Sequence, residues 1–284
     1  MPLVFVPTPL GNLRDVTLRA LDALRDAELI VAEDTRVARK LLGGLGLEGR
    51  EIWSYREANA QRVTPAILER ARTALVAVTS DAGMPGVSDP GSDLIAAARS
   101  AGISVEVLPG PSAAMGVALL SGFPLRRFTF EGFPPRTSGA RREWFARALA
   151  NGATTIWYES PRRIRSTLAD LAAVAPEAQV FIVREYTKLH EQHLLGTPQS
   201  LIAALSDPVR GEVAFAVAPQ AGASAAPQPS SENASLAIDA LLAEGHRVGE
   251  VAKLLAARGF GDRQQLYARA AARKARLKTS IKER

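Results

Sequence analysis

The sequence of 284 residues contains no cysteine. That absence removes thiolate nucleophiles, disulfide frameworks, iron–sulfur clusters and cysteine-ligated zinc together. Histidine is scarce as well, at three residues. Two of them, His190 and His193, fall in one strand-like stretch with no evident third ligand, so they read as structural or surface residues and no metal is expected. No apolar run approaches the roughly 18 residues a membrane helix needs. The opening Met-Pro-Leu-Val-Phe-Val-Pro has neither a basic n-region nor a cleavable apolar stretch. A soluble cytoplasmic protein without a membrane partner is the expectation. The usual catalytic fingerprints are missing too: no Walker A loop, no G-x-G-x-x-G and no H-E-x-x-H. Gly110-Pro111-Ser112-Ala113-Ala114 approaches a nucleophile elbow but lacks its second glycine.

Lysine is also sparse. Six lysines stand beside 29 arginines, and the formal net charge is +6. The planar guanidinium suits phosphate, so an RNA partner fits this balance, as does a genomic base composition that favours Arg and Ala.

What is present is globular: 47% hydrophobic and 23% charged residues, in a chain long enough for two domains and a small third. In the first 122 residues, short apolar runs at 3–6, 29–32, 75–79 and 104–108 read as buried strands. Segments with helical spacing lie between them, such as Leu18, Leu21 and Leu24. That alternation predicts an α/β fold with a mostly parallel N-terminal sheet covered on both faces. A second α/β unit begins near Phe123-Pro124, with strands at 128–131, 154–158, 179–184, 189–195 and 213–217. Little helix separates the last three, so its sheet is expected to be mixed. Residues 220–235 have linker composition. A small basic helical module follows over 236–284, with Gly245 and Gly259 where helix C-caps belong. The expected divisions are thus 1–122, 123–219, the linker, and 236–284.

Three turns carry the chemistry. VPTPLGN (6–12), SDAGMPGVSDPG (80–91) and LPGPSAAM (108–115) each follow a predicted strand. In open α/β sheets ligands bind at the carboxyl ends of strands, and Gly and Pro fix turns where backbone approaches a ligand closely. Asp81 supplies an acceptor for a ribose or an amine.

These turns, together with AEDTR (32–36), EGFPPR (131–136), YESPRR (158–163) and REYTK (184–188), resemble in order the motifs of the bacterial 16S rRNA (cytidine-2′-O)-methyltransferases of the tetrapyrrole methylase superfamily. The similarity spans about residues 3–219, and the tail is similar to a helix-turn-helix extension of many members. The resemblance implies a two-domain α/β fold, a homodimer, and S-adenosylmethionine (SAM) folded into the inter-domain cleft. The implied substrate is a cytidine of 16S rRNA in the decoding centre of the 30S subunit. Residue by residue, it implies contact with the methyl donor for Pro7, Asp81, Gly83, Met84, Val87, Ser112, Ala113, Glu159, Ser160 and Pro219. Two positions and one segment depart from the family pattern: Met84 stands for a usual Thr, Arg162 for a usual His, and Arg56-Glu57-Ala58-Asn59-Ala60 for a segment usually like HEHNE.

A ribose hydroxyl is a weak nucleophile, and Asp34, Glu185 and Lys188 are the candidates to take its proton. The structural alternative is that Asp34 caps a helix and Glu185 and Lys188 form an ion pair. Arg36, Arg39, Arg126, Arg127, Arg136, Arg141 and Arg142, with the basic tail, are the candidate RNA contacts. Two other readings share the fold. One is a tetrapyrrole C-methyltransferase, which AEDTR, YESPRR and the high charge disfavour. The other is a non-catalytic RNA-binding or ribosome assembly factor.

Overall fold

The computed structural model describes residues 2–88, 91–220, 231–257, 260 and 263–282. The chain forms two compact units, Met1–Ala146 with Thr154–Ala218, and Arg147–Ala153 with Pro219–Arg284.

The first unit contains two five-stranded sheets. One is wholly parallel and comprises β1 (Leu3–Val6), β2 (Leu29–Ala32), β3 (Ile52–Ser54), β4 (Val76–Thr79) and β5 (Val105–Val107), in the order β3-β2-β4-β1-β5. Its strands are buried on both faces because alternate side chains enter different cores. Leu3, Phe5, Leu29 and Val31 pack with Ile67 of α3 (Glu57–Thr73) and Leu94 of α4 (Ser92–Ser100). Val4, Val6 and Ile30 pack with Leu24 of α1 (Leu18–Asp26) and Leu42 of α2 (Thr35–Gly44). Each fully buried side chain of this kind contributes roughly 1.5–3 kcal/mol.

Capping residues set where these helices start. Thr17 accepts the Ala20 N–H at 3.1 Å, and Asp34 accepts the Arg36 N–H at 2.8 Å. At α3, Asn59 accepts the Arg56 N–H at 2.7 Å and donates to the Ser54 carbonyl at 3.0 Å. The segment 56–60 is therefore the first turn of a helix.

The second sheet holds β6 (Phe128–Gly132), β7 (Thr154–Glu159), β8 (Val180–Arg184), β9 (Gln192–Gly196) and β10 (Val213–Val217), ordered β6-β7-β10-β8-β9. Only β6 and β7 run parallel, so the sheet is mixed as expected. Helix α5 (Ala113–Leu120), which follows β5 of the first sheet, lays Ala114, Val117 and Ala118 against Ile156, Val183 and Ala214 of the second. This helix ties the two sheets together. Elsewhere on the second sheet, Trp157 lies between Phe145 of α6 (Ser138–Ala150), at 5.0 Å edge-on, and Phe215, stacked at 6.0 Å. α7 (Ile164–Val174) and α8 (Pro198–Ala204) complete the connections.

Two strands differ from the expectation. β3 has no apolar run to mark it: its three residues are all half-buried. β9 begins at Gln192 and not at 189, because Glu185 and Thr187 adopt left-handed φ of 54° and 66°, which turns the chain, and Leu189 is 93% exposed.

In the second unit, α9 (Ser231–Ala243), α10 (Val248–Ala257) and α11 (Arg263–Lys282) bury Ile238, Leu241, Val251, Leu255 and Leu266 in one small core. Gly245 takes φ of 89° after α9, the left-handed cap conformation. Gly259 lies outside the described residues. Among the described residues no helix is long and apolar enough to cross a membrane.

Candidate functional site

The carboxyl-end loops of the parallel sheet and the ends of β7, β8 and β10 in the second sheet enclose a cavity of about 430 Å³, within the ordinary range for small-molecule sites. Leu10 enters from the loop after β1 and Glu33 from the end of β2. Asp81, Gly83, Met84 and Val87 come from the loop after β4, and Ser112 and Ala113 from the start of α5. The second sheet supplies Phe133, Tyr158, Glu159, Ser160, Tyr186 and Glu212.

Backbone geometry locks the loops together. Thr8 and Gly83 exchange backbone hydrogen bonds of 2.9 and 3.0 Å, and the Thr8 hydroxyl donates to the Ser80 carbonyl at 3.3 Å. Gly83 sits at φ 81°, and a Cβ there would lie 3.0 Å from Leu10. Gly110 presses on Pro7, where an added Cβ would fall 2.6 Å from the Pro7 Cβ. Pro7 is therefore buried under the site and shapes the loop, without lining the cavity. Asp89 and Pro90, within the second loop, lie outside the described residues.

Glu159 is 3% exposed. It accepts the Thr167 hydroxyl at 2.6 Å and the Ser160 N–H at 2.7 Å, and pairs with Arg163 at 3.2 Å. Arg163 in turn donates to the Pro134 carbonyl at 2.6 Å and the Pro135 carbonyl at 3.1 Å. YESPRR and EGFPPR are thus one hydrogen-bonded strap, which fixes the turn that carries Phe133. The Tyr158 hydroxyl accepts the Ala114 N–H at 3.1 Å, satisfying one of the free donors at the start of α5.

Of the ten residues expected to touch a methyl donor, eight line this cavity: Asp81, Gly83, Met84, Val87, Ser112, Ala113, Glu159 and Ser160. Pro219 does not. β10 runs antiparallel to β7, with Val213 opposite Glu159 and Val217 opposite Thr155. The cavity therefore meets the amino end of β10, and Pro219 follows the far end.

The three candidate proton acceptors are engaged elsewhere. Asp34 caps α2 and grips the Arg36 side chain at 2.6 and 3.1 Å. The guanidinium and N–H of Arg36 hold its carboxyl well below the usual range, which makes it a weak base. Glu185 and Lys188 pair at 3.0 Å, and Lys188 also reaches Glu212 at 3.0 Å. Burial alone would raise Glu185, but the Glu212 N–H and the Lys188 ammonium outweigh it and hold the carboxyl down. Burial would likewise lower Lys188, but Glu185 and Glu212 overcome it and keep the ammonium protonated. Neither Glu185 nor Lys188 lines the cavity.

Glu33, which the sequence pattern did not single out, is different. Its carboxyl is raised, first by burial and next by the Asp81 charge, with Asp34 adding to the rise and Arg56 opposing it.

Among the arginines, Arg36, Arg39, Arg126, Arg127, Arg136 and Arg142 are exposed. Arg141 is not available to RNA: it is 4% exposed, bonded to Asp170, and donates to the Pro135 and Arg136 carbonyls at 3.2 and 3.3 Å. His193 pairs with Glu191 at 2.7 Å. Among the described residues no group of three or more His, Asp or Glu is placed to hold a metal ion.

Known proteins resemble this chain in sequence and in fold. Residues 2–202 match the family described as Tetrapyrrole (Corrin/Porphyrin) Methylases. Ribosomal RNA small subunit methyltransferase I of Mycobacterium tuberculosis is 38% identical over 272 residues, 93% of each chain. The protein of the same name from Thermotoga maritima is 41% identical over 202 residues, 71% of this chain and 90% of its own. Crystal structures of diphthine synthase (TM-score 0.58, 17% identity, 77% of this chain and 90% of that one) and of cobalt precorrin-4 methyltransferase (TM-score 0.59, 14% identity, 76% and 94%) share the fold. Matched along most of its length by both sequence and fold, the chain belongs to the tetrapyrrole methylase family.

Proposed function

We propose that the chain is a SAM-dependent methyltransferase that modifies the 2′-hydroxyl of a cytidine in the decoding centre of 16S rRNA, with the 30S subunit as its substrate. One observation carries the reading. The loops that resemble the family's methyl-donor loops meet at a single cavity lined by Asp81, in a chain whose relatives at 38–41% identity are named for rRNA small subunit methylation.

The cavity suits SAM chemically. Asp81 offers an acceptor for hydroxyl or ammonium groups, while Leu10, Val87, Phe133 and Ala214 offer apolar wall to an adenine and a sulfonium. SAM, when bound, supplies an electrophilic methyl group. The protein's task is to hold the hydroxyl in line and exclude water, and such positioning is worth roughly 7–11 kcal/mol. The Glu159–Arg163 strap and the Thr8–Gly83 bridge hold the walls for that task. No metal is part of the proposal, and rRNA as substrate makes the cytoplasm its place of work.

The halves 1–122 and 123–219 are proposed as the two domains of the family, with 220–235 as a linker and 236–284 as an appended basic module. α9 starts at Ser231, so helix begins before the end of that linker. A homodimer is proposed as well. α5 leaves Met115, Leu119 and Leu120 exposed, Leu119 at 70%, an apolar face that a second copy would cover.

Exposed Arg126, Arg127, Arg136 and Arg142 are proposed as phosphate contacts. Replacing Arg126 and Arg127 with alanine is expected to weaken 30S binding and leave SAM affinity unchanged. The log–log salt dependence should become shallower by about 0.7–0.9 for each phosphate no longer neutralised. Filter binding over a series of salt concentrations measures this, and an unchanged slope removes those arginines from the RNA surface.

Radiolabelled methyl transfer from SAM to 30S subunits, run beside a tetrapyrrole acceptor, tests the activity. Label in 16S rRNA is the expected result, and label only in the tetrapyrrole favours the rival.

A further inference from the structure

We propose that Glu33 is the general base that accepts the proton of the ribose 2′-hydroxyl during methyl transfer, an inference that rests on the 2′-O-methyltransferase reading above. Glu33 follows the last residue of β2 and lines the cavity with Asp81 and Met84. Its backbone is held from two sides. Its carbonyl accepts the Arg56 side chain at 2.9 Å and the Ser54 hydroxyl at 3.3 Å, and the next N–H, that of Asp34, donates to Asp81 at 3.1 Å. Among the described residues nothing donates a hydrogen bond to its carboxylate. Of the other acids near the site, Asp34 is committed to Arg36, Glu185 and Glu212 to Lys188, and Glu159 to Thr167 and Arg163, while Asp81 gives one oxygen to the Asp34 N–H and is the residue proposed to hold the methyl donor. A proton acceptor needs an open lone pair at the reacting hydroxyl, and the Glu33 carboxylate lines the cavity with no hydrogen-bond donor to it among the described residues.

The charged groups around it are Asp81 from the loop after β4, Asp34 at the start of α2, and Arg56 at the start of α3. Burial and the two carboxylates make Glu33 a stronger base than an ordinary glutamate, and Arg56 limits the effect. The chemistry balances. The oxygen–carbon bond forms as the carbon–sulfur bond breaks, the sulfonium takes the bonding pair and becomes a neutral thioether, and the hydroxyl proton passes to Glu33 and then to water.

The sign of the pH dependence follows. A protonated Glu33 cannot accept, so the rate at saturating SAM and 30S should rise with pH through a limb shifted upward from the ordinary glutamate value.

The test uses the full chain with SAM and 30S subunits. For wild type, Glu33→Gln and Glu33→Asp, it measures the single-turnover rate against pH, the SAM affinity by calorimetry, and the methylated nucleoside by mass spectrometry. Glu33→Gln should lose about 10²–10⁴-fold in rate, keep its SAM affinity within about threefold and lose the acid limb. Glu33→Asp, which keeps a carboxylate, should keep the limb and recover part of the rate. A Glu33→Gln enzyme that keeps its rate, or that loses SAM binding in proportion to its rate, overturns the assignment while 2′-O-methylcytidine from wild type leaves the functional reading standing. Wild type that methylates a base, or no RNA, overturns both.

Discussion

Replacing Arg141 with alanine should destabilise the protein by about 3–5 kcal/mol, the usual cost of leaving one partner of a buried ion pair uncompensated. Arg141 and Asp170 have side chains only 5% and 12% exposed, and Asp170 also accepts the Ser138 hydroxyl at 2.6 Å. The pair joins the start of α6 to α7, and Arg141 reaches past it to the carbonyls of the FPPR turn. Its loss should therefore loosen Phe133 at the cavity as well as lower the urea midpoint. Arg141→Met combined with Asp170→Leu should recover most of the stability, because a pair replaced together leaves no buried charge unpaired. A single-variant loss below about 1 kcal/mol would show that Arg142, 3.6 Å from the other Asp170 oxygen, takes over the pairing.

Asp81→Ala is expected to weaken SAM binding by about 10–150-fold, the equivalent of losing one charge-assisted hydrogen bond of about 1.5–3 kcal/mol. One Asp81 oxygen holds the Asp34 N–H, which joins the loops after β2 and β4, and the residue lines the cavity. Removal of its charge should also move the acid limb assigned to Glu33 to lower pH, since Asp81 raises that carboxyl. Calorimetry in the presence of a chelator measures the affinity. Wild-type binding should be unchanged by the chelator, and an Asp81→Ala protein with unchanged affinity would place the donor's polar end elsewhere.

The sequence made most of the fold legible because buried parallel strands are unbroken apolar runs. β1, β2 and β4 have every residue buried, and each stands out between turns. β3 lacked that contrast, lying half-exposed at the edge of its sheet. The cavity was legible through glycine and proline, since positions such as Gly83 need a left-handed φ and Gly110 a bare Cα against Pro7. That Pro219 falls outside the cavity lining was not legible, because residue order does not reveal strand direction in a mixed sheet. For Arg141 the signal was present: Arg141, Phe145 and Leu149 recur at helical spacing, and all three are buried. In AEDTR, the residue before the helix drew attention as cap and base together. In the structure Asp34 is the cap and the preceding Glu33 lines the cavity.

Methyl transfer from SAM to a ribose oxygen of 16S rRNA is the central claim. Mass spectrometry of nucleosides from 30S subunits incubated with the protein and methyl-labelled SAM tests it most directly. The expected result is label in 2′-O-methylcytidine, at one site that resists alkaline cleavage because the attacking hydroxyl is blocked. Label on the cytosine ring, or unlabelled RNA beside a labelled tetrapyrrole, would contradict it.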